Sequence, residues 1–392
     1  MHEFDDTADT ESTTDRRSPT NTNRRRYLAG VGALGLTGLA GCLDWVSGQD
    51  DDDDPEYNQI GSGRADRELA GTPIAEMPDL EGTLEVYSGR DQFLVGQLFE
   101  DLQNYYDDFT IDPRYGSSTD LVNQIRTEEA NTPADVFFTV NVGALGLLAG
   151  EGYTQALPDE VLDLGREGYQ DPDGQWIGTS GRARTVPYNT DELDESDVPD
   201  SISEFPETDA LADQIGWAPT YGSCQDFVTA MRIMEGDDAT REWLEAMVDH
   251  GVREYGNEFQ VAQAVADGEL LAGLTNHYYV VRVLDNRNEP PIDMTYTDGD
   301  AASFFNVAGA AVMDDSSNSD LAANFVRHLL SAEAQDYFAV SRTFEYPMIP
   351  EVEPIEELPS FDDLETPDLD LQEFTQADVT ETEELMRDAG AL

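Results

Sequence analysis

The sequence contains no lysine; its 21 basic residues are all arginine, against 83 acidic residues and a formal net charge of −62. Without lysine there is no P-loop phosphate ligand and no Schiff-base nitrogen for pyridoxal phosphate, so both chemistries are excluded. So large an excess of acid also argues against general nucleic-acid binding, which depends on cations that neutralise phosphates. Cysteine is nearly absent as well, occurring only at Cys42 and Cys224. There is no G-x-S-x-G, H-E-x-x-H or C-x-x-C motif, and the four histidines are far apart in sequence. No enzyme signature remains, and none is expected. Among 83 acids, no pair of carboxylates stands out as a catalytic dyad.

What is present describes a folded chain. Apolar residues make up 39% of 392 residues, with Tyr and Phe at 16 each, enough for two domains with real cores. Acidic residues are interleaved with long apolar-periodic segments, unlike the low-hydrophobicity pattern of disorder. At about 1 M salt the Debye length is roughly 3 Å, so this composition reads as a surface adapted to high salt.

Residues 1–41 read as an address. Arg24, Arg25, Arg26, Tyr27 and Leu28 precede a Gly/Ala-rich apolar run, an order that resembles a twin-arginine export signal. The run is about 15 residues, shorter than the roughly 20 that span a bilayer. Leu39-Ala40-Gly41-Cys42 resembles a lipobox, with Cys42 as the lipidated residue. The tether over 42–81 includes five consecutive aspartates, Asp50 to Asp54, and reads as solvated chain. With Cys42 lipidated, Cys224 has no internal partner; it reads as a small core residue.

The body alternates strand and helix patterns. Strands are expected at Thr83–Ser88, Phe109–Tyr115 and Ala134–Thr139. Helices are expected over 91–107, over 121–129 with Ser118 or Thr119 as the cap, and over 143–149. This spacing gives parallel βαβ units and an α/β fold. Strands bridge out through Trp176–Tyr188. Further elements follow at 215–218, 227–234, 239–248, 259–266, 269–274 and 306–313, with helices over 322–330 and 332–338. The tail after Glu351 reads as acidic, loosely packed turns ending in a helix near Thr380–Arg387. Two such units joined by crossover strands suggest a hinged two-lobe binding protein: lobe 1 over 82–181 plus about 298–350, lobe 2 over 182–297, and the tail over 351–392.

The segments VYSGR, YGSSTDLVNQI, ADVFFTVNVGALGLLAGEG, DPDGQWIGTSGRARTVPYNT, IGWAPTYGSCQDFVTAMR, NHYYVVRVL and FVRHLLSAEAQDYFA resemble the ferric-iron-binding family of ABC-transporter solute-binding proteins. The likeness runs from about Thr83 to Pro350. It implies a type II periplasmic-binding-protein-like fold hinged by crossover strands. It also implies Fe(III) held between the lobes by tyrosine phenolates, with carbonate or a similar anion completing the shell.

The matching tyrosines are Tyr87, in VYSGR, and the pair Tyr278 and Tyr279, in NHYYV. Ferric ion is a hard Lewis acid that favours anionic oxygen. Ionising a free tyrosine at pH 7 costs roughly 4 kcal/mol, which only a strongly acidic metal offsets three times over. Neighbouring tyrosines on a strand point to opposite faces; they converge only if Asn276 caps a helix that starts there. His277 is a further candidate ligand. The Gln225 spacing puts the extra tyrosine of some relatives at Ser223, whereas this chain has Tyr221 two residues earlier. Arg90, Arg182 and Arg184, with Ser180, lie in segments that form the cleft in relatives. Their guanidinium forks suit an anion clamp, although pairing with the abundant carboxylates is an equal alternative.

The resemblance implies a monomeric receptor on the outer face of the membrane, anchored at Cys42. It would take up ferric ion or a ferric chelate and deliver it to an ABC permease, with the ATPase engaged indirectly. The same fold with a different solute, an oxyanion or a small organic cation, is the alternative; in that case the tyrosine pair serves only as an apolar wall. An exported hydrolase or adhesive module is the more distant reading.

Overall fold

The computed structural model describes residues 70–392 apart from 342 and 378. The expected export signal, Cys42 and the tether up to residue 69 lie outside the described residues. Among the described residues, no helix is long and apolar enough to cross a membrane.

The first lobe is a parallel βαβ unit. Strands β1 (Gly82–Ser88), β2 (Phe109–Tyr115) and β3 (Val136–Thr139) alternate with helices α1 (Gln92–Tyr105), α2 (Ser118–Glu128) and α3 (Val142–Gly150). Tyr87 on β1 pairs in parallel register with Arg114 on β2 and Phe137 on β3. Each helix begins at a side chain that accepts an orphan backbone N–H: Asp91 for α1, Ser117 for α2 and Asn141 for α3. The α2 cap is therefore one residue before the expected Ser118. Leu84, Val86, Leu98, Phe99, Leu102 and Phe138 form the interior between β1, β3 and α1.

The long strand Ile177–Asn189 makes the crossing, and all of it is buried. At about 3.3 Å per residue, 13 residues span roughly 40 Å, enough to belong to two sheets. Its first half pairs antiparallel with the return strand Phe305–Met313, which also borders β3. Its second half pairs with Ala272 and with the strand Ile292–Thr295 of the second sheet. The second lobe adds Ile215–Trp217, which runs parallel to Arg253–Glu254 and Ala272–Gly273. The expected strand over 269–274 is reduced to Ala272–Gly273. Four helices surround this sheet: Gly222–Glu235, Asp237–Asp249, Glu258–Ala266 and His277–Asn286. The first two meet at Gly236, whose φ of 86° is open to glycine at little cost. The architecture is the two-lobe, type II α/β fold.

The tail is not loose. The short helix Leu371–Gln376 lies on α3 of the first lobe and on Gly222–Glu235 of the second, and the last helix, Val379–Asp388, covers Gly222–Glu235 and Asp237–Asp249. Gly146 of α3 permits close approach, since a Cβ there would stand 2.3 Å from the Thr375 Cβ. Leu371, Phe374, Leu385 and Met386 are buried, and Phe374 stacks on Phe304 with ring centroids 4.9 Å apart. Acidic composition concealed this packing because the apolar residues are few, but they share the inward faces.

Candidate metal centre

Three tyrosines meet in the second lobe. Tyr221 follows strand Ile215–Trp217 and occupies the N-cap position of helix Gly222–Glu235. Tyr278 and Tyr279 lie in the first turn of helix His277–Asn286, with Asn276 in extended conformation at its N-cap. The helical first turn lets neighbouring rings share a side, with centroids 4.5 Å apart. The Val-rich run that follows is helical because Val280, Val281 and Val283 bury its inner face, a tertiary gain that overrides weak helix propensity.

The Tyr221 and Tyr279 hydroxyls are 2.6 Å apart. Asn276 leaves the helix end uncapped by its side chain; its Nδ2 donates instead to the Tyr278 hydroxyl at 3.1 Å. The Arg282 guanidinium stands 5.0 and 5.5 Å from the Tyr278 and Tyr279 ring centroids. Burial pushes the Tyr278 phenol above its ordinary range. Burial, reinforced by neighbouring Tyr278 and Glu258, does the same to Tyr279. Both are neutral phenols at pH 7, and a ligand that binds them as phenolates must displace their protons. Among the described residues, no group of three or more His, Cys, Asp or Glu side chains is placed to hold a metal. The donor set that converges is therefore phenolic oxygen, suited to a hard, highly charged cation.

Several expected site residues lie elsewhere. Tyr87 is in the first lobe, with its hydroxyl 3.0 Å from both Glu128 Oε2 and Gln124 Nε2. Strand alternation turns its ring toward α2. The His277 ring turns into the core, where Nε2–H donates to the Phe344 carbonyl at 2.8 Å and Nδ1 accepts from the Ala183 N–H at 3.1 Å. Burial lowers its pKa to about 4, so both nitrogens serve the fold in the neutral form.

The anion clamp is corrected as well, because each arginine already holds a buried carboxylate or a carbonyl. Arg90 pairs with Glu345 at 2.6 Å and donates to Ser180 Oγ at 2.7 Å, between the rings of Phe138 and Phe338. Arg182 donates to the Val140 carbonyl at 2.6 Å and pairs with Asp226 at 3.4 Å. Arg184 pairs with Glu258 over the face of Phe227. Cys224 is fully buried, and burial pushes its thiol up to about 12, an inert core residue as expected. Sequence reading missed Glu258, Asp226 and Glu345; nothing distinguishes them among 83 acids until the fold buries them beside arginines.

Residues 97–365 match the family described as bacterial extracellular solute-binding protein. The chain is 32% identical over 238 residues to the major ferric iron-binding protein of Neisseria meningitidis, covering 59% of this chain and 71% of that protein. It is 27% identical over 341 residues to iron uptake protein A1 of Synechocystis, covering 81% and 90%. The crystal structure of iron-bound HitA from Pseudomonas aeruginosa superposes with a TM-score of 0.71 at 28% identity, over 79% of this chain and 99% of that one. This chain belongs to the bacterial extracellular solute-binding protein family.

Proposed function

We propose that this protein is the ferric-iron receptor of an ABC importer, taking Fe(III) at Tyr221, Tyr278 and Tyr279 and delivering it to a membrane permease. The observation that carries the reading is the convergence of three phenols, two with hydroxyls in contact, where no thiol or free imidazole competes. The names of the relatives, two ferric or iron uptake proteins and an iron-bound structure, support the same ligand. The function is capture and transfer rather than catalysis. Ferric ion stabilises whichever arrangement of the lobes brings the most ligands to it, so binding shifts the hinge equilibrium by its differential affinity. Arg90, Arg182 and Arg184 are each paired with a carboxylate, which weighs against the oxyanion alternative. Export through the twin-arginine signal, anchoring at Cys42 and operation in high salt complete the reading.

The test is a visible absorption titration with ferric citrate in multimolar salt, comparing the wild type with Tyr278→Phe/Tyr279→Phe. A saturable phenolate-to-iron band that is absent from the double variant supports the site. A wild type without such a band leaves a solute receptor with another ligand.

A further inference from the structure

The side chain of Glu258, in the first turn of helix Glu258–Ala266, is completely buried. Its Oε2 accepts the backbone N–H of Asn276 at 3.0 Å, and its Oε1 pairs with Arg184 of the crossover strand. Asn276 is the corner between the short strand Thr275–Asn276 and the tyrosine helix. The corner's backbone is laddered to the same crossover strand, with Arg184 opposite Asn276 and Thr185 opposite Thr275. From the corner, Asn276 Nδ2 reaches the Tyr278 hydroxyl. One carboxylate thus connects the strand that joins the lobes to the residue from which both tyrosines depart.

Stability alone does not explain such a pair. A buried ion pair carries a large desolvation cost, and apolar replacements are often as stable or more so. A chain with 83 acids can place them on its surface. A buried, doubly engaged carboxylate against a helix corner instead fixes direction, and that corner sets where the Tyr278 and Tyr279 rings project.

We propose that Glu258 is a positioning residue for ferric capture: held by Arg184, it fixes the Asn276 corner and thereby aims Tyr278 and Tyr279 at the metal. This rests on the ferric reading above. The Arg184 charge must be removed together with the carboxylate, or an unpaired buried cation dominates the result. The comparison is therefore between Arg184→Met/Glu258→Gln, which keeps an acceptor for the Asn276 N–H, and Arg184→Met/Glu258→Leu, which does not.

Full-length protein is titrated with ferric citrate in multimolar salt, reading the phenolate-to-iron band and the affinity, with thermal midpoints recorded alongside. The Gln variant is expected to keep its band and to bind within about threefold of wild type. The Leu variant is expected to lose about 10- to 100-fold in affinity, the range typical of residues that orient metal ligands, with a displaced or weakened band at a similar midpoint. Equal bands and affinities in the two variants overturn the proposal. If the Leu variant does not fold, Arg184→Met/Glu258→Ala takes its place under the same criteria, and a loss of tenfold or more in the Gln variant at an unchanged midpoint overturns the proposal. If wild type itself gives no band, the ferric reading fails, and crystal structures of the variants judge Glu258. The Tyr221–Tyr279 hydroxyl contact should survive in the Gln variant and break in the Leu variant; its survival in both ends the positioning role.

Discussion

The phenol hydroxyls of Tyr221 and Tyr279 stand 2.6 Å apart across 58 residues of sequence. One belongs to the residue that opens the helix after Ile215–Trp217, the other to the first turn of the helix after Thr275–Asn276. Two neutral phenols at this distance are joined by one hydrogen bond, and a trivalent cation that displaces both phenolic protons gains two anionic oxygens already side by side.

Ferric affinity should therefore rise with pH. Burial raises both the Tyr278 and Tyr279 phenols, so both are protonated in the free protein and each must release its proton on binding. Each phenol that binds as a phenolate releases one proton, so a centre of three tyrosines makes the apparent affinity rise by up to about a thousandfold per pH unit, tenfold for each proton. Competition titrations at pH 6 and 7, corrected for the chelator's own protonation, measure the slope. A pH-independent affinity would contradict phenolate binding.

Tyr221→Phe and Tyr87→Phe should part company. Tyr87→Phe loses hydrogen bonds to Glu128 and Gln124, at a cost of about 1 kcal/mol of stability, and leaves ferric affinity within about threefold of wild type. Tyr221→Phe removes an oxygen from the centre, and its affinity should drop by more than about tenfold with a change in the visible band. Isothermal titration and a thermal melt of each variant distinguish the two effects.

His328 should make the first lobe acid-sensitive. Its Nδ1–H donates to the Asn324 carbonyl at 2.7 Å and its Nε2 accepts from the Tyr106 hydroxyl at 2.8 Å, an arrangement only the neutral ring provides. Burial lowers its pKa from 6.5 to about 4. The unfolded chain therefore binds the proton first: this contribution is intact above pH 6.5 and declines as pH falls, by about 3 kcal/mol at pH 4. Denaturation midpoints between pH 7 and 4 should fall more steeply in wild type than in His328→Gln.

Phe374→Ala should show that the tail is part of the core. Phe374 is buried against Phe304, next to the crossover, in a segment that touches helices of both lobes. Truncation of a buried phenylalanine costs about 3–5 kcal/mol, and the thermal midpoint measures it. A loss below about 1 kcal/mol would mean that the terminal segment is only laid on the surface.

Some of this protein is written in its sequence. The βαβ order of the first lobe was legible because β1 and β2 alternate apolar with polar residues, β3 is a short apolar run, α1 and α2 carry helical periodicity, and each helix opens at a capping side chain; these are local signals. The tyrosine pair at 278 and 279 was legible through resemblance to related sequences, and Asn276 marked the helix start that lets the rings share a side. Other features belonged to tertiary structure alone. Whether Tyr87 or Tyr221 joins the pair depends on which strand end faces which helix, a matter of sheet order rather than residue type. Whether Arg90, Arg182 and Arg184 are free to clamp an anion depends on three carboxylates 44 to 255 residues away. The tail's packing depends on a handful of apolar side chains finding helices from both lobes. Sequence fixes what each residue can offer locally; only the folded chain determines which distant groups use that capacity first, because burial favours pairing a polar group with whatever partner the fold brings into reach.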